Sequence, residues 1–247
     1  MGKPMDYNDF AKTYAETRSA FPHVTKILID EFGKLKSGSV IVEIGCGTGN
    51  YIIELLTKMP GNIYKGFDLS IEMLKVAKSR TNKVKFTRAN ADEKFPYTDS
   101  SADAAFLVDV IHHIVDYNIF FGECNRILKA KGTLVIVTDT KIDFYKRSGT
   151  KYFPETLRVE LERYPAVEEL NKFAITNSLI IRRTEHSEET SEIDDDLISK
   201  IEKKRSSSLR LIPESAFLEG LNRIRKAKLR GEKWLSSYTI LKYQKLK

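Results

Sequence analysis

Residues 40–50 have the sequence VIVEIGCGTGN, and this stretch decides the fold. A run of β-branched residues leads to Glu43, and glycines follow at the alternate positions Gly45, Gly47 and Gly49. β-branched runs favour strands, whereas glycine permits a sharp turn in which a ligand can lie directly against the backbone. An amphipathic stretch begins immediately after the last glycine. The pattern therefore predicts a buried strand that turns sharply into a helix, with a ligand site at the turn.

Strand and helix patterns alternate along the first half of the chain. The predicted strands are Ser39–Ile44, Ile63–Phe67, Val84–Arg88, Ala104–Val108 and Thr133–Thr138. Short, nearly all-apolar strands separated by helices are typical of a parallel sheet with helices on both faces. Ser70 is predicted to cap the helix after the second strand, and Gly132 to mark the break before the fifth.

Polar and glycine residues follow four of these strands, at the edge of the sheet where ligands of such folds bind. They are Glu43–Gly49, Asp68, Asn90–Asp92 and Asp109–His113. Because the carboxyl ends of parallel strands lie at the same edge of a sheet, these residues are expected to form one site.

The spacing of the three glycines excludes two common glycine loops. A dinucleotide site needs G-x-G-x-x-G, but position 50 is Asn, and no Gly-Lys-Ser/Thr of a phosphate-binding P-loop is present. The remaining pattern, E-x-G-x-G-x-G, resembles motif I of the class I S-adenosylmethionine-dependent methyltransferases. Three further segments resemble motifs of this family in the same order: Asp68 at the tip of strand two, Asp103–Asp109 followed by His112-His113, and Arg126–Leu134.

The resemblance covers residues 38–138. Within the family, this part of the chain is similar to the broad subgroup that methylates small molecules. It implies a doubly wound, mostly parallel α/β sheet of seven strands in the order 3-2-1-4-5-7-6, with the last strand antiparallel and helices on both faces. Within a single domain of residues 1–247 we expect a helical cap (1–36), a cofactor-binding core (38–138), a helical substrate lid and insertion (140–235) and a terminal strand (236–247).

The resemblance also assigns cofactor-binding residues. We expect S-adenosylmethionine to contact Tyr14, Arg18, Glu43, Gly45, Cys46, Gly47, Gly49, Asp68, Leu69, Asn90, Ala91, Asp92 and Asp109. Asp68 is expected to accept hydrogen bonds from the ribose hydroxyls, and Tyr14 or Arg18 to contact the methionine carboxylate. Glu43 either accepts from the amino group or holds the glycine loop in shape. The loop after strand three differs in length from the family pattern, which leaves open whether Asn90 or Asp92 meets the adenine amino group; the charge of Asp92 favours Asp92.

Methyl transfer from a sulfonium is an in-line displacement, so the protein must mainly position the acceptor and exclude water. His113, or its neighbour His112, lies where the acceptor's proton would leave, and a histidine can act as a base near neutral pH. The alternative is a purely structural histidine pair. The two cysteines, Cys46 and Cys124, lie in the glycine loop and in a predicted helix, which favours reduced thiols over a disulfide or a metal site.

The net charge of +7 is concentrated at one end of the chain. Residues 200–247 contain 14 Lys and Arg against 4 Asp and Glu, after an acidic tract at 185–196. This basic end is either a salt-bridged helical face or a surface for an anion. The main hypothesis, from the family resemblance, is methyl transfer to a small-molecule acceptor, and the aromatic and basic residues of the predicted lid allow an anionic or aromatic acceptor without requiring one. An RNA (tRNA) methyltransferase and a non-catalytic cofactor-binding partner subunit are the alternatives.

The sequence contains no apolar run of membrane-spanning length and no apolar signal core near its start. We therefore expect a cytoplasmic protein that does not enter a membrane. The sequence makes no prediction about the oligomeric state.

Overall fold

The computed structural model describes residues 18–204 and 206–247. The first half of the described chain alternates strands and helices in this order: α1 Pro22–Phe32, β1 Val40–Ile44, α2 Asn50–Lys58, β2 Ile63–Asp68, α3 Ile71–Arg80, β3 Lys85–Arg88, β4 Ala102–Val108, a 3-10 turn Ile111–His113, α4 Tyr117–Ile127 and β5 Leu128–Thr138. The second half contains α5 Lys141–Lys146, α6 Ser148–Tyr152, α7 Thr156–Arg163, α8 Val167–Thr176, β6 Leu179–Glu192, α9 Asp195–Glu202, a 3-10 turn Ser208–Arg210, α10 Glu214–Leu229 and β7 Lys233–Lys245.

The strands form one sheet in the order β3-β2-β1-β4-β5-β7-β6, with β7 antiparallel. β1 pairs in parallel with β2 and β4, and β3 and β5 continue the parallel ladder on either side. The register places Ile44 beside Phe67 and Asp68 beside Arg88, so the ends of β1, β2 and β3 are level. The predicted fold class is confirmed, including the strand order and the antiparallel last strand.

Burial explains why these segments form strands. Ile41, Val42 and Ile44 in β1 are almost completely buried, as are Ala104–Leu107 in β4 and Leu134–Val137 in β5. Strands that are buried on both faces have apolar residues at consecutive positions, and helices cover both faces of such a sheet. The rigid sheet holds its carboxyl ends, and the polar residues that follow them, in place.

Several predicted boundaries differ from the structure. Gly132 does not break the chain before β5, because the strand begins at Leu128 and continues through it. A register shift relative to β4, with Lys131 at φ +65°, takes up the extra residues instead. β6 extends to Glu192, so much of the acidic tract at 185–196 is strand. The terminal strand, predicted from residue 236, begins at Lys233.

The described chain divides into two compact units, each with its own apolar core. The first contains the described residues up to Thr138, together with Val167–Thr184 and Ile240–Lys247. The second contains Asp139–Ala166 and Glu185–Thr239. The assignment of a cap, a cofactor core and a substrate lid to stretches of the sequence stays a prediction.

A completely buried carboxylate, Asp143, organises part of the second unit. It lies in the first turn of α5 and accepts hydrogen bonds from Thr140 N at 2.8 Å and Thr140 Oγ1 at 2.7 Å. The hydroxyls of Ser237 and Thr239 on β7 also donate to it, each at 2.6 Å. His186 Nδ1 lies 2.8 Å from Thr239 Oγ1 and so extends the network to β6. Asp143 thus joins a helix start to two strands.

Replacement of Asp143 by alanine should destabilise the protein. The substitution leaves buried hydroxyl and amide donors without their acceptor, which should lower the free energy of unfolding by about 2–3 kcal/mol. Urea unfolding followed by circular dichroism measures this change. Asp196→Ala on α9 removes an exposed carboxylate paired with Lys200 and is the control, with an expected loss below about 0.5 kcal/mol. Equal losses in the two variants would contradict the assigned role of Asp143.

None of the helices built from residues 18–204 and 206–247 combines the length and apolar character needed to span a bilayer.

Candidate functional site

The loop between β1 and α2 has a backbone that only glycine adopts without strain. Gly45, Gly47 and Gly49 have φ angles of +66°, +51° and +78°. A Cβ atom at Gly45 would lie 2.7 Å from Val110 Cγ1, so this glycine is required by packing. A Cβ atom at Gly47 would meet no atom within 4 Å. Gly47 therefore faces open space, and its lack of a side chain leaves room for a ligand against the backbone.

Asp68, at the tip of β2, is hydrogen-bonded directly to this loop. Its Oδ2 accepts from Gly47 N and its Oδ1 from Ser70 N, both at 2.8 Å. Burial raises the pKa of Asp68 above its ordinary value, and the backbone N–H groups of Ser70, Gly47 and Leu69 oppose that rise. A carboxylate has about four lone-pair sites, so both oxygens can accept further hydrogen bonds. The backbone N–H groups of Gly47 and Ser70 thus fix the half-buried carboxylate of Asp68 next to the glycine loop.

Glu43, the last polar residue of β1, points into the protein. Its side chain is buried, and its Oε2 accepts from Ile52 N in the first turn of α2 at 3.1 Å. Burial raises the pKa of Glu43 well above its ordinary value. Of its two predicted roles, this geometry favours the one in which Glu43 holds the glycine loop and the helix start in shape.

The raised pKa of Glu43 predicts a pH-dependent effect of Glu43→Gln. Because the folded chain holds the proton more tightly than the unfolded chain, wild-type stability falls as the pH rises from about 4.5 to the raised pKa, by at most about 1.4 kcal/mol per pH unit. Glutamine keeps an oxygen that accepts from Ile52 N and does not titrate. The stability of the variant relative to wild type should therefore increase with pH in urea unfolding between pH ~4 and ~8. A difference between variant and wild type that is constant with pH would contradict this account.

Arg18 and Asp109 lie together at the end of β4. Arg18 Nη1 is 3.9 Å from Asp109 Oδ2, and the backbone of Asp109 has a φ of +57°. Asn50 Nδ2 donates to the carbonyl of Arg18 at 3.2 Å, which ties this segment to the start of α2. The structure therefore brings two predicted cofactor residues, Arg18 and Asp109, next to each other. Tyr14, the other candidate for the methionine carboxylate, lies outside the described residues.

Arg80 is a contributor that the sequence does not indicate. Its guanidinium donates to the carbonyl of Thr48 at 2.8 Å and to Asn50 Oδ1 at 2.6 Å. It thereby holds the far side of the glycine loop from the end of α3. Arg80 is separated from the loop by about thirty residues and belongs to no motif, so no local signal could reveal the contact.

The loop after β3 uses its two polar side chains differently. Asn90 Oδ1 accepts from Asp92 N at 3.1 Å in a local turn, and both side chains are half-buried. Asp92 Oδ1 accepts from Val115 N at 2.7 Å and from Asp116 N at 2.9 Å. One carboxylate oxygen of Asp92 is thus bonded to the backbone near the histidine pair. The amide of Asn90 is bonded within its own turn, where its Nδ2 also donates to Glu93 Oε1 at 3.3 Å. Which of the two residues meets the adenine amino group therefore stays a prediction.

Three further predicted residues lie near the ends of these strands. Leu69 follows Asp68 and is 59% exposed, which is unusual for a large apolar side chain and suits contact with a ligand. Cys46 is buried, and burial raises the pKa of its thiol well above the ordinary value, so it is a packing residue of the loop. His113 packs against His112, with ring centroids 4.0 Å apart. A role for His113 as a base stays a prediction.

Residues 42–136 match the model of a protein family described as "Methyltransferase domain". This part of the chain is a methyltransferase domain. It belongs to the S-adenosylmethionine-dependent methyltransferases, and it contains the glycine loop, Asp68, Asn90 and the histidine pair.

Individual relatives agree with the assignment of the methyltransferase domain. A malonyl-acyl-carrier-protein O-methyltransferase of Legionella pneumophila is 28% identical over 141 residues, 53% of this chain and 50% of that protein. A demethylmenaquinone methyltransferase of Staphylococcus aureus is 29% identical over 125 residues, 48% of this chain and 52% of that protein. The chain spans about half the length of these curated relatives.

Among solved structures, an Anabaena variabilis protein described as an inferred methyltransferase of an antibiotic biosynthesis pathway superposes with a TM-score of 0.73. The match covers 93% of this chain and 99% of that one, at 24% identity. At this identity the likeness shows the fold.

The residues of the methyltransferase domain fit the family's cofactor. S-adenosylmethionine carries a ribose with two hydroxyls, an adenine and a cationic sulfonium. Asp68 offers lone pairs to hydroxyl donors, Asn90 offers an amide to an exocyclic amine, and Gly47 leaves space against the backbone where a Cβ atom would otherwise stand. The hydrogen-bonding groups and the open space of this site therefore match the chemistry of this cofactor.

Proposed function

We propose that this chain is an S-adenosylmethionine-dependent methyltransferase that acts on a small-molecule acceptor. The observation that carries the proposal is the pairing of the glycine loop with Asp68, in which Gly47 N donates to Asp68 Oδ2 at 2.8 Å beside open space. A backbone without side chains next to an aimed carboxylate suits a nucleoside ribose. The demethylmenaquinone methyltransferase supports a small-molecule acceptor, because its name states one, whereas the name of the other relative states a malonyl group carried on a protein.

In this function, each residue has a separate binding task. Asp68 accepts from the ribose hydroxyls, and Asn90 with Ala91 receives the adenine. Arg18, beside Asp109, contacts the methionine carboxylate. Glu43 keeps the loop and the start of α2 in position through Ile52 N.

When bound, the cofactor supplies a methyl group on a sulfonium, and the chain's own residues hold the reacting groups in line. Positioning and exclusion of water are the main sources of rate in such a displacement. His113 is the proposed acceptor for a proton that leaves the substrate, since an imidazole can take up a proton near neutral pH.

The structure gives no support to RNA as the acceptor. Most basic side chains of α9 and α10 are paired with acidic neighbours, as in Lys200–Asp196, Arg225–Glu202 and Lys228–Asp195. Arg223–Glu219 and Lys204–Glu214 follow the same pattern. Paired charges form a solvated face and leave less net positive field for phosphates.

Transfer of radioactive methyl from S-adenosylmethionine tests this proposal. The full chain is incubated with separate pools of carboxylic acids, phenols and quinols, amines and tRNA, and extracted product is counted. Methylated product from a small-molecule pool, absent with Gly47→Ala, supports the proposal. Product from tRNA alone would overturn the small-molecule assignment. Cofactor binding without product from any pool would favour a non-catalytic partner subunit.

A further inference from the structure

Asp92 connects two loops of the first unit. Its Oδ1 accepts from the backbone N–H groups of Val115 and Asp116, at 2.7 and 2.9 Å. These residues follow the 3-10 turn Ile111–His113, which carries the histidine pair, after a single residue. Hydrogen bonds from two N–H groups to one carboxylate oxygen are charge-assisted, and they are stronger than bonds between neutral groups.

On its other side, Asp92 is connected to Asn90, the proposed adenine contact. Asn90 Oδ1 accepts from Asp92 N at 3.1 Å, so both side chains belong to one turn. Ala89 N donates to the carbonyl of Asp68 at 3.1 Å, which places the same turn at the end of β2. A ligand that orders Asn90 and Ala91 therefore also orders Asp92.

A different pair of residues anchors the rest of the loop. Glu123 on α4 accepts from Phe95 N at 2.6 Å, and Arg126 donates to the carbonyls of Phe95 and Tyr97 at 3.1 and 2.8 Å. Glu123 and Arg126 also pair with each other at 2.6 Å. This anchor holds residues 95–97 to the body of α4, whereas the bonds of Asp92 go to the segment next to the histidines.

We propose that Asp92 is a positioning residue that couples binding at the adenine loop to the ordering of the segment from Ile111 to Tyr117. The inference rests on the proposed function, because it needs a ligand at Asn90. Binding restricts the turn at residues 90–92, and the two hydrogen bonds of Asp92 carry that restriction to Val115 and Asp116. Because coupling is reciprocal, loss of these bonds also weakens ligand binding. Filling the cofactor site then further restricts the segment that carries the histidine pair.

Amide hydrogen exchange of the full chain, with and without S-adenosylhomocysteine, tests this coupling. In wild type, the ligand should slow exchange of the amides of residues 111–117 by about 5-fold or more, within the usual range of coupling between sites. In Asp92→Ala, ligand at saturating concentration should still slow amide exchange at the glycine loop. It should no longer slow exchange at residues 111–117. Asp92→Asn keeps an acceptor oxygen in the same place and should retain part of the effect.

Glu123→Gln is the matched control, because it weakens the second anchor of the same loop without touching Val115 or Asp116. It should keep the ligand-dependent slowing at residues 111–117. Equal slowing in wild type and both Asp92 variants would overturn the positioning role. No slowing at 111–117 in ligand-bound wild type would also overturn it. Failure of wild type to bind S-adenosylhomocysteine at all would instead contradict the proposed function, so the two failures are distinguishable.

Discussion

Asp68→Ala is expected to bind S-adenosylhomocysteine about 100- to 10,000-fold more weakly than wild type, since two hydrogen bonds to a charged group contribute about 1.5–3 kcal/mol each. The carboxylate is already oriented by Gly47 N and Ser70 N, so little ordering is needed when the ribose hydroxyls bind. Isothermal titration calorimetry measures the loss directly.

Asp68 also supports the local backbone, and a control must separate this effect from ligand contact. Ser70→Ala removes the cap that accepts from Met73 N at 3.2 Å at the start of α3. It should cost about 1 kcal/mol of stability and change affinity less than about 5-fold. If both variants lose affinity equally, Asp68 acts through the backbone and the assignment as ribose acceptor is wrong.

Gly47→Ala is expected to lower S-adenosylhomocysteine affinity by about 100-fold or more, comparable to the effect of a 1 Å misplacement in an active site. The new methyl group would stand in open space, where no protein atom outside the neighbouring residues of the chain lies within 4 Å. Protein packing therefore accommodates this methyl group, and only a ligand in that space collides with it. The same calorimetric titration measures the change.

Gly38→Ala is the matched control for backbone strain. Gly38 has a φ of +83° and also has no atom within 4 Å of its Cβ position, but it precedes β1 at the opposite end of the strand. Both substitutions should cost about 1–2 kcal/mol of stability, because both force alanine into the left-handed region. Only Gly47→Ala should lose affinity. Similar affinities for the two variants would mean that the space beside Gly47 is not where the ligand lies.

The fold was predictable because its strong signals are local. Buried parallel strands produce consecutive apolar residues, and the glycine spacing after β1 separates this loop from dinucleotide and P-loop sites. The N-cap at Ser70 is confirmed, because its hydroxyl accepts from Met73 N. Boundaries were less predictable. A glycine such as Gly132 is typical of a chain break, but here it lies within β5, at an irregularity in the pairing with β4.

Roles that depend on distant contacts were not predictable. The charge of Asp92 favours it as the adenine contact in the sequence, but in the structure that carboxylate accepts from two N–H groups more than twenty residues away. Arg80 supports the glycine loop from another helix. The Asp143 network joins residues about a hundred positions apart, because the hydroxyl of Thr239 on β7 bonds to Asp143 and Thr140 at the start of α5.

Calorimetric titration of the wild-type chain with S-adenosylhomocysteine, beside a parallel titration with NAD⁺, tests the central claim most directly. The account predicts one S-adenosylhomocysteine site per chain with a dissociation constant between about 1 µM and 1 mM, the usual range for enzyme ligands, and no detectable heat of NAD⁺ binding. Absence of S-adenosylhomocysteine binding, or equal binding of NAD⁺, would contradict the assignment of the Gly45–Gly49 loop and Asp68 to this cofactor.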